Sequence, residues 1–597
     1  MEPASAESAN SSASNLKKWG PIGAIALVVA AVVGIVVVSG GDDDEGADTA
    51  TTEVSTSATE PTTTEASDDT MPDATEPTSS EPATATGGEV TYPLSFSQAE
   101  EQGIEVAWDD RCDTETGRIA LPWYFAPECY APFEGDNGGA TATGVTADSI
   151  KVVYYQGPDD DPVINYLTDA ISVDDTNVDQ EQTARDYLEM FQSYYEFYGR
   201  TIDLETYVST GITSDEVTAR ADAVRIAEEI QPFAVLGGPT LTNAFADELA
   251  ARDILCIGCT PGQPPEWFAE RDPYVWSLAI SASQARAQTR EFLQKQVIGG
   301  NAVHAGDESF QSQPRKFGMV YIASSPESEA INQEFAEQLR ADGADIVETL
   351  AYQLDPGTIQ SQASQIIAKL KAAGVNSVLT LADPIAPRDF TREATAQEYF
   401  PEWILAVPAG TDVTAFARTY DQEQWSHAFG VSYGAARVLP EISGYYALYE
   451  WWKGAEAPAA DSLGTLMPNF SLFYAVTMYA GPNLTHESWR DALMNNQGTR
   501  PAISQPSLSY GDKDIWDGTD YNGVDDATMV WWDSSATGPD EIRKDGTGMY
   551  MYVDGGTRYL PGEWPSEDRM FDPDGAVAIY DAPPPGEEVP AYPSPAG

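Results

Sequence analysis

Four stretches of this chain place glycine, hydroxylic and acidic residues directly after an apolar run. They are Gly237-Gly238-Pro239-Thr240-Leu241-Thr242-Asn243, Gly258-Cys259-Thr260-Pro261-Gly262, Ser324-Ser325 and Ala382-Asp383-Pro384. Glycine lets a ligand approach the main chain, while hydroxyls and helix N-terminal N–H groups suit a carboxylate and the Asp383 carboxylate suits an ammonium. Such a set fits a zwitterion. The same residue types also build turns and helix N-caps, which any alternation of strands and helices needs. No Gly-x-Ser-x-Gly elbow, P-loop or His-Glu-x-x-His motif is present, and no two carboxylates stand apart from the other acids. The chemistry is therefore read as binding, with no catalytic residue assigned.

Cys112, Cys129, Cys256 and Cys259 form an even set. In an oxidising compartment they read as two local disulfides, Cys112 with Cys129 and Cys256 with Cys259. A redox C-x-x-C usually opens a helix, whereas ILCIGCTPG reads as a strand entering a Pro/Gly turn. His304, His427 and His486 lie far apart in sequence, which leaves the cysteines without zinc partners. The acidic run GDKDIWDGTDYNGVDD holds Asp512, Asp514, Asp517, Asp520, Asp525 and Asp526. It lacks EF-hand spacing, with Asp517 at the position of the turn glycine and no Glu at position twelve, so it reads as a solvated loop. No cofactor and no metal are expected. Trp451, Trp452, Trp531 and Trp532 read as packing residues.

These residues need a frame, and the N-terminal segment sets where it lies. An uncharged run, GPIGAIALVVAAVVGIVVVSGG, separates Lys17 and Lys18 from Asp42, Asp43, Asp44 and Glu45. Ile22 to Val38 as a helix covers most of a hydrocarbon core of about 30 Å, and the lysines before it place the N-terminus in the cytoplasm. A cleaved signal peptide is the rival reading, although VVVSGG is a poor cleavage site. Both readings put the bulk of the chain outside the membrane, and no Cys follows the run to carry a lipid. Residues 42–90 are Thr, Ser, Glu, Ala and Pro and cannot fold by burial, so they read as a stalk.

The chain has 597 residues with 42% hydrophobic content, enough for more than one core. Its 31 Lys and Arg against 95 Asp and Glu give a net charge of -64. That field repels phosphate, which argues against nucleic acid and anionic lipid as partners. Outside the stalk, short apolar runs alternate with amphipathic stretches, the texture of parallel sheets flanked by helices.

IKVVYY, PFAVLGG, 254–258 and 275–280 read as strands of a first lobe, with helices over 180–198, from a Thr213/Glu216 capping box, and over 242–252. A second lobe starts with a helix over 283–297 and a strand over 317–323, followed by Ser325 and Pro326 as N-cap and N1 of a helix that Gly343 stops. Strands near 346–352, 377–381 and 403–407 alternate with helices over 358–373 and 388–399. The strand AFGVS and the aromatic helices 441–453 and 467–480 are expected to return to the first lobe, while MVWWD and GMYMYV supply antiparallel strands. The organisation expected is 1–19 cytoplasmic, 20–41 anchor, 42–90 stalk and 91–147 a Cys-stapled preface. Then come 148–282 with 428–500 as lobe 1, 283–427 with 501–582 as lobe 2, and 583–597 as a disordered tail.

GVTADSIKVVYY, PFAVLGGPTLTNAFADELAARDILCIGCT, FGMVYIASSPESEAINQEFAEQLRADGADIVET and SLFYAVTMYAGPNLTHESWRDAL, in that order, resemble the type I periplasmic binding proteins. The likeness is to their leucine-binding-protein-like branch, the branched-chain amino-acid solute-binding proteins of ABC transporters, over about Gly144 to Tyr580. The resemblance implies two α/β Rossmann-like lobes joined by three hinge crossings that close on a small polar ligand without covalent chemistry. By position it puts Thr240, Thr242 and Thr260 at the ligand carboxylate and Asp383 at its amino group; Gly238, Ser324 and Ser325 are read as further ligand-binding residues from their place after strands, although the family usually has an aromatic residue where this chain has Ser324 and Ser325. It implies an ABC permease as partner. A ligand-sensing ectodomain of the same fold and a secreted hydrolase are the other readings.

Overall fold

The computed structural model describes residues 90–597 apart from Thr240, Thr260, Pro261, Ser324 and Ser443. The expected N-terminus, the anchor and the stalk up to residue 89 lie outside the described residues. Among the described residues no helix is long and apolar enough to cross a membrane.

The run SIKVVYYQ forms the strand β1, Ser149–Gln156, apolar along nearly its whole length because helices cover both faces of its sheet. β2, Thr201–Val208, lies at the edge and alternates: Ile202 and Leu204 are buried while Thr201, Asp203 and Glu205 face water. β3 (Ala234–Leu236), β4 (Leu255–Ile257) and β5 (Val275–Trp276) complete a parallel sheet of order β2-β1-β3-β4-β5. Its core takes in the helix Asn177–Tyr194 and the later helices Gly444–Lys453, Leu463–Ala480 and His486–Asn495.

The second sheet holds β6 (Phe317–Ile322), β7 (Ile346–Tyr352), β8 (Ser377–Leu381), β9 (Glu402–Leu405), β10 (Ala428–Ser432), β11 (Ala527–Pro539) and β12 (Asp545–Tyr552). Its order is β12-β11-β10-β9-β8-β6-β7, with Arg558–Tyr559 also paired to β11. β11 runs antiparallel to β10, β12 and Arg558–Tyr559, and the remaining pairs are parallel. The chain passes between lobes three times: from β5 into the helix Ala282–Phe292, from β10 into the helix at Gly444, and from Asn495 to β11.

Several expectations are corrected. The strand AFGVS does not return to lobe 1; β10 pairs β9 and β11 in lobe 2, and only the two aromatic helices after it pack on lobe 1. The helix expected from Thr213 starts at Glu216 with Asp215 as N-cap, whose carboxylate is one residue from the helix and accepts the Thr218 N–H. The tail is ordered by partners rather than by a core of its own. The Trp451 indole donates to the Tyr592 carbonyl at 3.0 Å, Tyr592 donates to Asp113 at 2.8 Å, and buried Glu587 accepts from Ile503 and Ser504 N–H groups.

The expected caps are in place at Ser325, which exchanges hydrogen bonds with Ser328 at the start of the helix Pro326–Ala341, and at Gly374, which ends Ile359–Ala373 with a φ of 70°. Both disulfides form as paired, Cys112–Cys129 in the preface and Cys256–Cys259 at the end of β4. From the preface, Ile119, Leu121 and Trp123 enter the lobe 1 core.

Candidate functional site

In an open parallel sheet, ligands gather beyond the carboxyl ends of strands at the point where the strand order reverses. Here that point falls between β1 and β3 in lobe 1 and between β6 and β8 in lobe 2. The two ends meet. The insertion after β1 forms a helix, Pro162–Ile171, whose Leu167 joins the lobe 2 core, with Ile164, Tyr166 and Ile171 packed against it. Tyr166 accepts a hydrogen bond at 2.9 Å from Arg388, which follows β8, and Leu241 of the turn after β3 also packs on the lobe 2 core.

Gly237 adopts a φ of 81° in that turn. Gly238 has little room: a Cβ there would come within 3.1 Å of both Cα and Cβ of Cys259. The Cys256–Cys259 bridge fastens β4 to the turn after it, and that turn packs on the end of β3, with Cys259 Sγ 3.2 Å from the Gly237 carbonyl oxygen. Thr242 is buried, and its hydroxyl accepts the Ala244 N–H at 3.1 Å, the first N–H of the helix Ala244–Ala250, whose N-cap is Asn243. Thr240, Thr260 and Ser324 lie outside the described residues.

On lobe 2, Ser325 borders a cavity of about 450 Å³ that Glu329, Tyr352, Gln353 and Gln362 also line. Asp383 is not among its lining residues. Expected to meet an amino group, Asp383 is instead wholly buried, and its Oδ1 accepts the N–H groups of Ile385 at 2.8 Å and Ala386 at 3.0 Å. Oδ2 accepts the Tyr352 hydroxyl, whose oxygen in turn accepts the Asp383 N–H at 3.0 Å. Burial raises the Asp383 carboxyl, and the Tyr352 and backbone donors oppose that shift. With both oxygens engaged by the protein, Asp383 sets the position of Tyr352 and of the helix Ala386–Ala396.

Four polar residues that were not expected gather where the first and second crossings pass. Tyr433, just past β10, donates to the Ala285 carbonyl at 2.8 Å and lies 3.1 Å from the Thr289 hydroxyl. Arg286 stands beside it, and desolvation lowers its guanidinium to about 10. Arg286 Nε is enclosed and has no hydrogen-bond partner, while Nη1 donates to the Ala282 carbonyl at 3.2 Å. Burial also raises the carboxyl of Asp412, which accepts the Ser432 hydroxyl at 2.7 Å. None of these residues stands in a recognisable motif; the only signal in the sequence is their place just after a strand or at a crossing. Among the described residues no group of three or more His, Cys, Asp or Glu is arranged to hold a metal ion.

Residues 172–422 match the family model described as periplasmic binding protein. No curated protein matches. Among solved structures, the branched-chain amino acid transporter substrate binding protein LivJ from Streptococcus pneumoniae, in complex with isoleucine, is similar at 13% identity and a TM-score of 0.44, covering 68% of this chain and 100% of that one. A solute binding protein from Rhodopseudomonas palustris BisB5, in complex with 3,4-dihydroxybenzoic acid, is similar at 12% identity and a TM-score of 0.46, covering 72% and 99%. A fatty acid ABC transporter substrate-binding protein from Thermomonospora curvata is similar at 15% identity and a TM-score of 0.43, covering 72% and 95%.

Proposed function

We propose that this chain, whose residues 172–422 match the family model described as periplasmic binding protein, is an extracytoplasmic solute-binding protein that captures a small polar ligand between its lobes for an ABC importer. In this reading the N-terminal run tethers it to the membrane, the stalk holds it clear of the surface, and a permease takes the cargo. The observation that supports capture is the meeting of the two reversal points, with Leu241 and the helix Pro162–Ile171 reaching across to pack on lobe 2 and Tyr166 joined to Arg388 there. In this reading the site binds its cargo and does not convert it.

Arg286 narrows the ligand class. A half-enclosed guanidinium whose Nε has no hydrogen-bond partner, with Glu334 reaching it only through its field, is matched by an acidic ligand, since a charge-assisted bond would complete it. The cargo is thus read as a carboxylate-bearing compound, an amino acid or a relative. Main-chain N–H groups beside Gly238 and the hydroxyls at Thr240, Thr242, Thr260, Ser324 and Ser325 are its proposed further contacts.

A thermal-shift screen of amino acids, short amides, polyamines and sugars tests this, because a ligand well above its Kd stabilises the folded state by mass action. The expected result is a shift with an acid-bearing compound that Arg286→Gln weakens at least tenfold in Kd. Shifts from sugars alone, unchanged in that variant, would overturn the ligand class.

A further inference from the structure

Asp520 and Asn522 stand in the third crossing where it runs alongside the first. Asn522 pairs with Ser277 as a parallel bridge, and the Gly523 N–H donates to the Ser277 carbonyl at 2.9 Å. Both side chains are inside the protein, Asp520 at 5% exposure and Asn522 at 0%. Asp520 Oδ1 accepts the Asn522 N–H at 2.9 Å, and the Gln284 amide also donates to this carboxylate. Oδ2 of Asp520 has no hydrogen-bond partner, and neither does Nδ2 or Oδ1 of Asn522.

Among the described residues, the side chains that act on Asp520 are neutral or acidic. Gln284 comes from the helix Ala282–Phe292, Asp525 from the same crossing, and the Tyr510 phenol from the hairpin partner of this segment. Among the described residues no lysine, arginine or histidine forms an ion pair with Asp520. An isolated carboxylate in the interior costs several kcal/mol unless a proton or a cation meets it, and a buried amide oxygen needs a partner of its own. One full negative charge and two unpaired oxygens on residues two apart fit one small, singly charged cation. Hard cations prefer such oxygen donors, and the lack, among the described residues, of a group of three or more His, Cys, Asp or Glu arranged to hold a metal disfavours a divalent ion.

We propose that Asp520, with Asn522, seats a compact monovalent cation, an alkali ion or an ammonium head group, at the junction of the first and third crossings. Its occupancy fixes the hinge in the arrangement described. This does not depend on what the cleft carries, since the seat lies at the crossings and not among the residues assigned to cargo.

The test is thermal unfolding of the full chain at pH 8 and constant ionic strength, titrating potassium chloride, ammonium chloride or methylammonium chloride against tetrapropylammonium chloride, which is too bulky for an enclosed seat. The compact cations should raise Tm in a saturable way that the bulky one does not. A response to potassium identifies an alkali seat; a response confined to ammonium and methylammonium identifies an amine seat. Asp520→Asn should remove the difference between compact and bulky cations, and the exposed loop variant Asp517→Asn should retain it. Equal shifts from all four salts, or a difference that survives Asp520→Asn, would overturn the proposal.

Should Asp520→Asn not fold, the unaltered protein still decides. Burial pushes Asp520 up to about 7, so at pH 5.5 a proton occupies the seat and the compact-cation effect should vanish. Asp525, pushed up to about 6, titrates nearby, and Asp525→Asn should leave the effect at pH 8 intact. Persistence of the full effect at pH 5.5 would also overturn the proposal.

Discussion

Tyr352 and Asp383 are joined twice: the phenol donates to the carboxylate Oδ2, and its oxygen accepts the Asp383 N–H at 3.0 Å. Thirty-one residues apart in sequence, they close the end of β7 onto the turn after β8 and so shape the wall that Tyr352 presents to the lobe 2 cavity. Tyr352→Phe leaves a buried carboxylate oxygen and a buried N–H unpaired. The expected loss of stability is about 1–3 kcal/mol, read as a lower urea midpoint at unchanged m-value. Asp383→Asn should cost a similar amount, because an amide can still accept from Ile385 and Ala386 but no longer balances the phenol. An undiminished midpoint in both variants would show that the two-way bond is absent in solution.

Gly238 gives a second, steric prediction. The atoms that a new Cβ would meet at 3.1 Å are Cα and Cβ of Cys259, which are backbone and bridge and cannot swing aside like the tip of a flexible side chain. Gly238→Ala should therefore cost about 1–3 kcal/mol, the usual range for forcing a methyl into a filled site. Gly103→Ala is a control with open space around the added carbon, although its φ of 66° still carries some strain. Ligand affinity should fall with Gly238→Ala and not with Gly103→Ala, by calorimetry with whichever compound the screen returns.

The two sheets were legible because β1, β6 and β8 are apolar on both faces and their flanking helices carry caps, as at Ser325 with Pro326 and at Gly374. Local chemistry of that kind is written in adjacent residues. What was not legible depends on contacts between distant segments. AFGVS is as apolar as any lobe 1 strand, and only its pairing with β9 and β11 fixes its lobe. Asp383 could be placed after a strand, but nothing near it announced Tyr352. PPPGEEVPAYPSPAG has the composition of a disordered tail and becomes ordered through Asp113, Trp451 and Ile503, none of them close in sequence.

That tail carries a third prediction. Glu587 is buried and accepts the Ile503 N–H, the Ser504 N–H at 3.3 Å and the Ser504 hydroxyl, all within the third crossing. Glu587→Ala strands those donors and should lower stability by about 1–3 kcal/mol. Truncation after Asp581 should do at least as much and should also raise the hydrogen-exchange rate of the Ile503 and Ser504 amides. Unaltered exchange at those two positions would mean that the tail is not seated on the crossing.

The last prediction concerns pH, and its sign follows from burial. Asp520 and Asp525 are held up to about 7 and about 6, chiefly because desolvation penalises their charged forms. In the unfolded chain an aspartate titrates near 3.9, so between about pH 4 and 7 the folded state binds more protons than the unfolded one. Stability must then fall as pH rises through that window, the reverse of a salt-bridged aspartate. Each unit of elevation is worth about 1.4 kcal/mol, which makes the joint effect a few kcal/mol. Because a chain of net charge -64 also destabilises itself as its surface acids ionise, the decisive quantity is the difference between proteins. In a buffer whose only cation is tetrapropylammonium, urea midpoints from pH 5 to pH 8 should decline more steeply for the unaltered chain than for Asp520→Asn with Asp525→Asn. A slope as steep in the double variant would place the titrating groups elsewhere.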